Sequence, residues 1–299
     1  MKARPIPIKS FLEMFPCLLL IGCSIEHEST IGQYGKAAHF PMHYLTDSGV
    51  EGGGALYKVS EVSVGQLVDS ELVLSGFTTP GGLAQDSAGD IYLAETRPAP
   101  EGRVLKLKPS KDTAMEFVTN LDYPTGVAID SFNQVYIIEN GQHQVSKFDA
   151  TGVYSLFKDT EIESPEVGVM DANDNLFLVE SGTQVVSKIN PTGERQVVTP
   201  PLEGILGVAV DAAGYVNVLT VNASEGYGKI VRILDQNTTE DLVDELVNPL
   251  AFAFDSSNAI YIAEGAPVNR ITRFAAGESS RRIIVETVDE PLAIIFTPF

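Results

Sequence analysis

From about residue 42 onward the chain is written in short apolar runs separated by turn-forming residues. Ile91-Tyr-Leu, Val135-Tyr-Ile-Ile and Ile260-Tyr-Ile are β-branched and aromatic runs bounded by Pro, Gly, Asn and Asp, the pattern of buried strands. The runs recur within a longer phrase. Pro124-Thr-Gly-Val-Ala-Ile-Asp130 is followed by Asn133 and then by Val135 to Glu139. The same phrase runs from Pro80 through Asp86 to Glu95, from Pro165 through Asp171 to Glu180, and from Pro249 through Asp255 to Glu264. A degenerate copy runs from Ile205 through Asp211 to Thr220. In all five the Asp stands nine positions before the strand-end residue, and successive aspartates are 44, 41, 40 and 44 residues apart.

Each part of the phrase has a physical reading. Pro opens a first strand, where its missing N–H costs no ladder bond. The Asp and the residue three later (Gly89, Asn133, Asp174, Gly214, Asn258) form a tight turn, because the carboxylate caps backbone N–H groups and Gly or Asn tolerates positive φ. A second strand follows. Third strands are expected at Val104–Lys108, Val145–Asp149, Val186–Asn190, Ile230–Leu234 and Ile271–Phe274, and more variable fourth strands close each unit, as at Tyr154–Lys158 and Glu194–Thr199.

Four antiparallel strands in a period of about 40–45 residues make a propeller blade. One blade cannot bury both faces, so the copies must stack around an axis. The expected fold is all-β: a six-bladed β-propeller of four-stranded antiparallel blades. The last blade is closed by the two ends of the chain. Pro291-Leu-Ala-Ile-Ile-Phe-Thr297 supplies its first strand, and Met42–Asp47, Leu56–Ser60 and Leu67–Ser75 supply the other three. This closure removes two sheet edges that would otherwise template aggregation.

The first 23 residues read as an address. Lys2, Arg4 and Lys9 precede an apolar stretch from Phe11 to Ile21, the layout of a secretory signal. Leu20-Ile21-Gly22-Cys23 resembles the lipobox of bacterial lipoproteins, which implies that Cys23 is lipidated and becomes the mature N-terminus. Several acyl chains, at roughly 0.8 kcal/mol per buried CH₂, anchor what one chain cannot. Glu13 and Pro16 interrupt the apolar stretch, so an ordinary cleaved signal and an uncleaved anchor stay open. Both cysteines, Cys17 and Cys23, lie in this segment, so a cleaved chain forms no internal disulfide. Ser24 stands where the inner-membrane retention signal usually has Asp, which implies the outer membrane of a bacterial cell envelope, facing the periplasm or the exterior. The expected division is residues 1–22 as signal peptide, 23–41 as lipidated Cys and tether, and 42–299 as propeller.

Charge narrows the partners. Forty acidic against 20 basic side chains give a net charge of −20, which repels nucleic-acid backbones and anionic lipid head groups. Membrane contact is therefore expected only through the lipid, and the chain is read as a monomer with a protein, peptide or glycan as partner.

The segment from Val135 to Asp149 resembles an NHL repeat, and the wider pattern over residues 42–299 is similar to the six-bladed propellers of the NHL and SMP-30/gluconolactonase-like superfamily. That resemblance implies architecture more than activity, since the group holds lactonases, lyases and plain binding modules. In SMP-30-like lactonases, Asn and Asp near the mouth hold a divalent metal. The matching positions here, one after each Pro or, in the degenerate copy, after Ile205, are Gly81, Thr125, Glu166, Leu206, Leu250 and Leu292. Only Glu166 is a good ligand for a hard cation, and the three leucines and the glycine predict a dry, uncharged mouth. Glu166 and Thr125 remain candidates for contact with a cationic or hydroxyl-bearing ligand. Virginiamycin B lyase-like propellers rely on a histidine in the later blades. This chain has none after His143, itself expected to make a turn hydrogen bond.

The repeated Glu95, Glu139, Glu180 and Glu264, with Asp47, are expected to brace the following loops; the alternative is a ring binding Ca²⁺ or a polycation. Asp171-Ala-Asn-Asp-Asn175 begins like a calcium loop, but Leu176 and Gly182 occupy its sixth and twelfth positions, which excludes it. No cofactor is implied. Two longer loops, Thr96–Arg103 and Val221–Gly228, break the symmetry and offer Arg97, Arg103, Glu225 and Tyr227 as contact residues. The favoured function is a lipid-anchored, non-enzymatic propeller that binds at the channel mouth and these loops. The alternative is a hydrolase or lyase of the SMP-30-like group with a non-standard site.

Overall fold

The computed structural model describes residues 42–46, 53–59, 70–108, 113–158, 161–222, 224–278, 280–286, 288 and 290–296, with 42–46 and 59 described by backbone alone. All belong to the unit Ala38–Phe299. Cys23, the signal and the tether lie outside the described residues, as does Asp47.

The fold is an all-β propeller of four-stranded antiparallel blades. Five blades are contiguous in sequence: blade 1 (80–121), blade 2 (124–158), blade 3 (165–197), blade 4 (205–247) and blade 5 (249–286). Each runs in order from a first strand to a fourth, each strand pairing with the next. A further sheet joins Pro291–Phe296 to Met42–Thr46, then Gly54–Val59, then Glu71–Phe77. Its terminal pairing matches Met42 with Phe296, Tyr44 with Ile294 and Leu45 with Ala293. Each first strand lies against that of the next blade, and Pro291–Phe296 lies against the first strands of both blade 5 and blade 1.

Strand bounds differ from the sequence reading by a few residues. Of Leu67–Ser75, residues 67–69 lie outside the described residues and the described strand is Glu71–Phe77, while Glu194–Thr199 shortens to Arg195–Val197. In the latter, Thr199 turns its hydroxyl inward to accept from the Val186 N–H, which takes it out of the ladder. The third strands of blades 1 and 4 begin earlier than expected, at Gly102 and Tyr227.

The core lies between blades. Second strands are buried end to end, as in Ile91–Glu95, Val135–Glu139, Leu176–Glu180 and Ile260–Glu264, because neighbours cover both faces. One apolar cluster joins Tyr92 and Val104 of blade 1 to Val127 and Ile137 of blade 2, and others repeat this at the next seams.

The end carrying the Asp turns is tied tightly. Oδ1 of Asp86, Asp130, Asp171, Asp211 and Asp255 accepts from the N–H groups two and four residues on. The residue three after each Asp has positive φ, from 59° at Asn133 to 85° at Gly214. Inboard of the turns a cation on the third strand covers the second-strand ring: Lys106 over Tyr92, Lys147 over Tyr136, Lys188 over Phe177 and Arg273 over Tyr261. Blade 4 departs from this, with Asn217 at the aromatic position and Arg232 stacked on Tyr215 instead.

Candidate channel-mouth site

The first strands start at the opposite end from the Asp turns, and each lies beside the first strand of its neighbour. The second-strand ends meet the same rim, since Pro80 pairs with Glu95, Pro124 with Glu139, Pro165 with Glu180 and Pro249 with Glu264.

The repeated glutamates are buried, none more than 3% exposed, and each accepts a backbone N–H from the residue 17 positions earlier. Glu180 takes a bidentate pair from Arg195 at 2.8 and 2.9 Å, and Glu264 is held by Arg270 and Thr272. Glu95 is held by Arg103. Glu139 has no cation among the described residues but accepts from Ser146 at 2.6 Å and Gln144 at 2.8 Å. Saturated in this way, these carboxylates fix the chain entering each first strand and have little left to offer a ligand.

Glu166 sits differently. It is half-buried, and its Oε1 accepts from Asn140 Nδ2 at 3.1 Å and Ser181 Oγ at 3.0 Å. Burial raises its carboxyl above the ordinary carboxylate value, against the lowering effect of the Ser181 hydroxyl. Among the described residues Oε2 accepts no hydrogen bond, and no cation pairs with the group. Thr125 donates to the Pro165 carbonyl at 3.3 Å, across the seam to the blade carrying Glu166.

The expectation of a dry, uncharged mouth is corrected over half its circumference. In blades 1 to 3 the residue following the second strand also reaches the rim: Thr96 donates to the Pro124 carbonyl at 2.8 Å, Asn140 to Pro165 at 3.2 Å, and the single Ser181 hydroxyl proton is shared between the Ser164 carbonyl and Glu166 Oε1, each 3.0 Å away. These three were overlooked in sequence, although each stands one position after a repeated glutamate. The remaining first-strand starts carry Leu206, 40% exposed, and Leu250 and Leu292, half-buried.

The proposed loop contacts separate into two places. Arg97 and Arg103 line a cleft of about 300 Å³ in blade 1 with Glu95, Glu101 and Glu116. Arg103 is a strand residue rather than a loop residue, because its guanidinium is drawn to buried Glu95 and to Glu116 at 2.8 Å. Arg97 pairs with Glu101 at 3.2 Å, so both cations are neutralised within the chain. Glu225 and Tyr227 lie in blade 4, Glu225 in an exposed turn and Tyr227 opening the third strand, where it pairs with Asn222 in register. His143 accepts the Ser164 N–H at 3.2 Å through Nδ1 in the turn expected for it. Among the described residues no group of three or more His, Cys, Asp or Glu is placed to hold a metal ion.

No sequence family and no curated protein matches the chain. Solved structures match its fold. The nidogen/laminin complex contains one that superposes with a TM-score of 0.68 at 13% identity, covering 85% of this chain and 97% of that one. A gluconolactonase from Xanthomonas campestris gives 0.58 at 13% identity, covering 80% and 82%. A streptogramin B lyase gives 0.58 at 17% identity, covering 84% and 91%. The chain shares their β-propeller fold. The resemblance expected from the repeats is thus met at the level of fold, among proteins with both binding and enzymatic names.

Proposed function

We propose that this chain is a lipid-anchored, non-enzymatic binding module: a six-bladed ring, closed by pairing its two ends, held at the bacterial outer membrane through Cys23. Its ligand engages the channel mouth. The observation that carries this reading is a contrast between two sets of positions on one rim. The bracing glutamates repeat from blade to blade and are satisfied internally. The positions one after each first-strand start vary between Gly, Thr, Glu and Leu and include Glu166, a half-buried carboxylate with a spare oxygen among the described residues. Repetition serves the scaffold and divergence serves recognition. A single carboxylate with neutral neighbours is a poor cradle for a catalytic divalent metal, which takes several oxygen ligands. The nidogen/laminin likeness is compatible with a protein partner.

The test has two arms. A photo-crosslinking residue at Leu206 is expected to capture a discrete partner in the cell envelope, whereas one at Leu72, on the outer fourth strand, is not; the reverse pattern overturns the mouth as the binding surface. Lactone turnover that requires Ca²⁺ or Zn²⁺ and is abolished by Glu166→Gln would establish the hydrolase reading instead. For the anchor, radiolabelled palmitate is expected to be incorporated by the native chain and lost in Cys23→Ala; label that persists overturns it.

A further inference from the structure

Around the mouth, the residues that follow the first-strand starts change chemistry at one seam. Blades 1 to 3 place Gly81, Thr125 and Glu166 after the Pro, and Thr96, Asn140 and Ser181 after the second strand. Blades 4 and 5 and the C-terminal strand place Leu206, Leu250 and Leu292 after the first-strand start. Because the first strands neighbour one another in cyclic order, the three leucines follow one another on successive strands after the strand of Glu166. Among the described residues the mouth is therefore amphipathic, hydrogen-bonding on one side and apolar on the other.

The polar half is almost self-satisfied. Thr96 and Thr125 donate to carbonyls of the next blade, and Asn140 and Ser181 both donate to Oε1 of Glu166. Among the described residues, what stays open is Oε2, an acceptor on a carboxylate whose next neighbouring strand begins with Ile205 and Leu206. Its complement is a donor that carries positive charge on an apolar body.

We propose that the mouth binds an alkylammonium group, the ammonium donating to Glu166 Oε2 and the alkyl body lying along Leu206, Leu250 and Leu292. This rests on the mouth being the ligand surface and adds the ligand's chemistry. An anion would face Glu166 unpaired, and a neutral alcohol would forgo the charge that strengthens the hydrogen bond. The net charge of −20 draws cations toward the surface and raises their encounter rate. A free amine and a lysine side chain flanked by apolar residues present this same chemistry.

The probes are n-hexylammonium, hexanol, hexanoate and the peptide acetyl-Leu-Lys-Leu-amide, titrated into the intact chain by calorimetry and by NMR. Hexylammonium is expected to bind at least about tenfold more tightly than hexanol, and hexanoate not to bind, as a charge-assisted hydrogen bond requires. Glu166→Gln, which keeps the shape and the bonds from Asn140 and Ser181, is expected to erase that preference. Leu206→Ser weakens both hexylammonium and hexanol. Peptide binding that exceeds hexylammonium assigns the source to lysine on a macromolecule; the opposite order assigns it to a free amine. Equal affinity for hexanol and hexylammonium, or an unchanged preference in Glu166→Gln, overturns the proposal. Should Leu206 still crosslink to a partner while neither amine probe binds, the ligand chemistry is wrong and the mouth remains the surface. Loss of both removes the mouth as well.

Discussion

A carboxylate that is half out of water and has no cation beside it carries an uncompensated desolvation cost whenever it is ionised, and among the described residues Glu166 is in that position. Its folded pKa stands above the unfolded value, so the folded state holds the proton more strongly. Stability associated with Glu166 is then fully present below the ordinary glutamate pKa of about 4.3 and is lost as pH rises through the folded value. Glu166→Gln removes the ionisation. Urea titrations are expected to show the variant more stable than the native chain at pH 7, with the difference vanishing near pH 4. A variant less stable than the native chain at pH 7 contradicts this account. The four bracing glutamates should behave oppositely in substitution: Glu180→Gln leaves the bidentate Arg195 without its anion and is expected to destabilise, by about 3 kcal/mol for a buried pair broken on one side.

Blades are strapped to one another at their Asp turns by the positive-φ residue. Asn133 accepts the Ser87 N–H at 3.0 Å, Asp174 the Ser131 N–H at 2.8 Å, and Asn258 the Ala212 N–H at 2.9 Å. Each strap joins a blade to the one before it. The seam between blades 3 and 4 lacks this strap, because the corresponding residue is Gly214, which has no side chain. The position has φ of 85° and open space around a would-be Cβ. Asn tolerates positive φ, narrows the unfolded ensemble and supplies the missing acceptor for the Ala172 N–H. Gly214→Asn is expected to raise stability by about 0.5–1 kcal/mol, measured by chemical denaturation. A loss of stability would show that this turn cannot relax from 85° toward the 59–62° of its counterparts.

Over the whole molecule, the strand Pro291–Phe296 both completes the sheet of Met42–Thr46 and sits between the first strands of blades 5 and 1. Deleting residues 291–299 uncovers apolar side chains on both neighbours, Ala251 and Ala253 of blade 5 in the cluster of Ile294 and Leu83 and Leu93 of blade 1 in the cluster of Ala293 and Ile295, and leaves a sheet edge unpaired. The truncated chain is expected to lose cooperative thermal unfolding and to aggregate, read by calorimetry and light scattering. Adding back a peptide of residues 290–299 is expected to restore part of the transition. An unaltered melting profile after truncation would show that closure through the two ends does not hold the ring.

The blades were legible in the sequence because their constraints are local. A Pro that opens a strand, an Asp that caps its own turn and a Gly, Asn or Asp at positive φ act within a few residues, so their spacing alone locates each unit. The glutamate brace was legible as repetition, though its partners were not: Arg103 comes from the third strand, Arg195 from the fourth, and the 17-residue backbone contact spans the first two strands. The cations covering the tyrosines escaped notice for the same reason, being opposite in register rather than near in sequence. The mouth was half legible. One residue per blade was read from the first strand, while Thr96, Asn140 and Ser181 arrive from the second-strand ends. Which oxygen of Glu166 is spent on Asn140 and which is left open depends on two blades meeting at a common rim. Local backbone preferences therefore determined the repeated unit, and only packing of one unit against the next decided which polar groups are satisfied and which face a ligand.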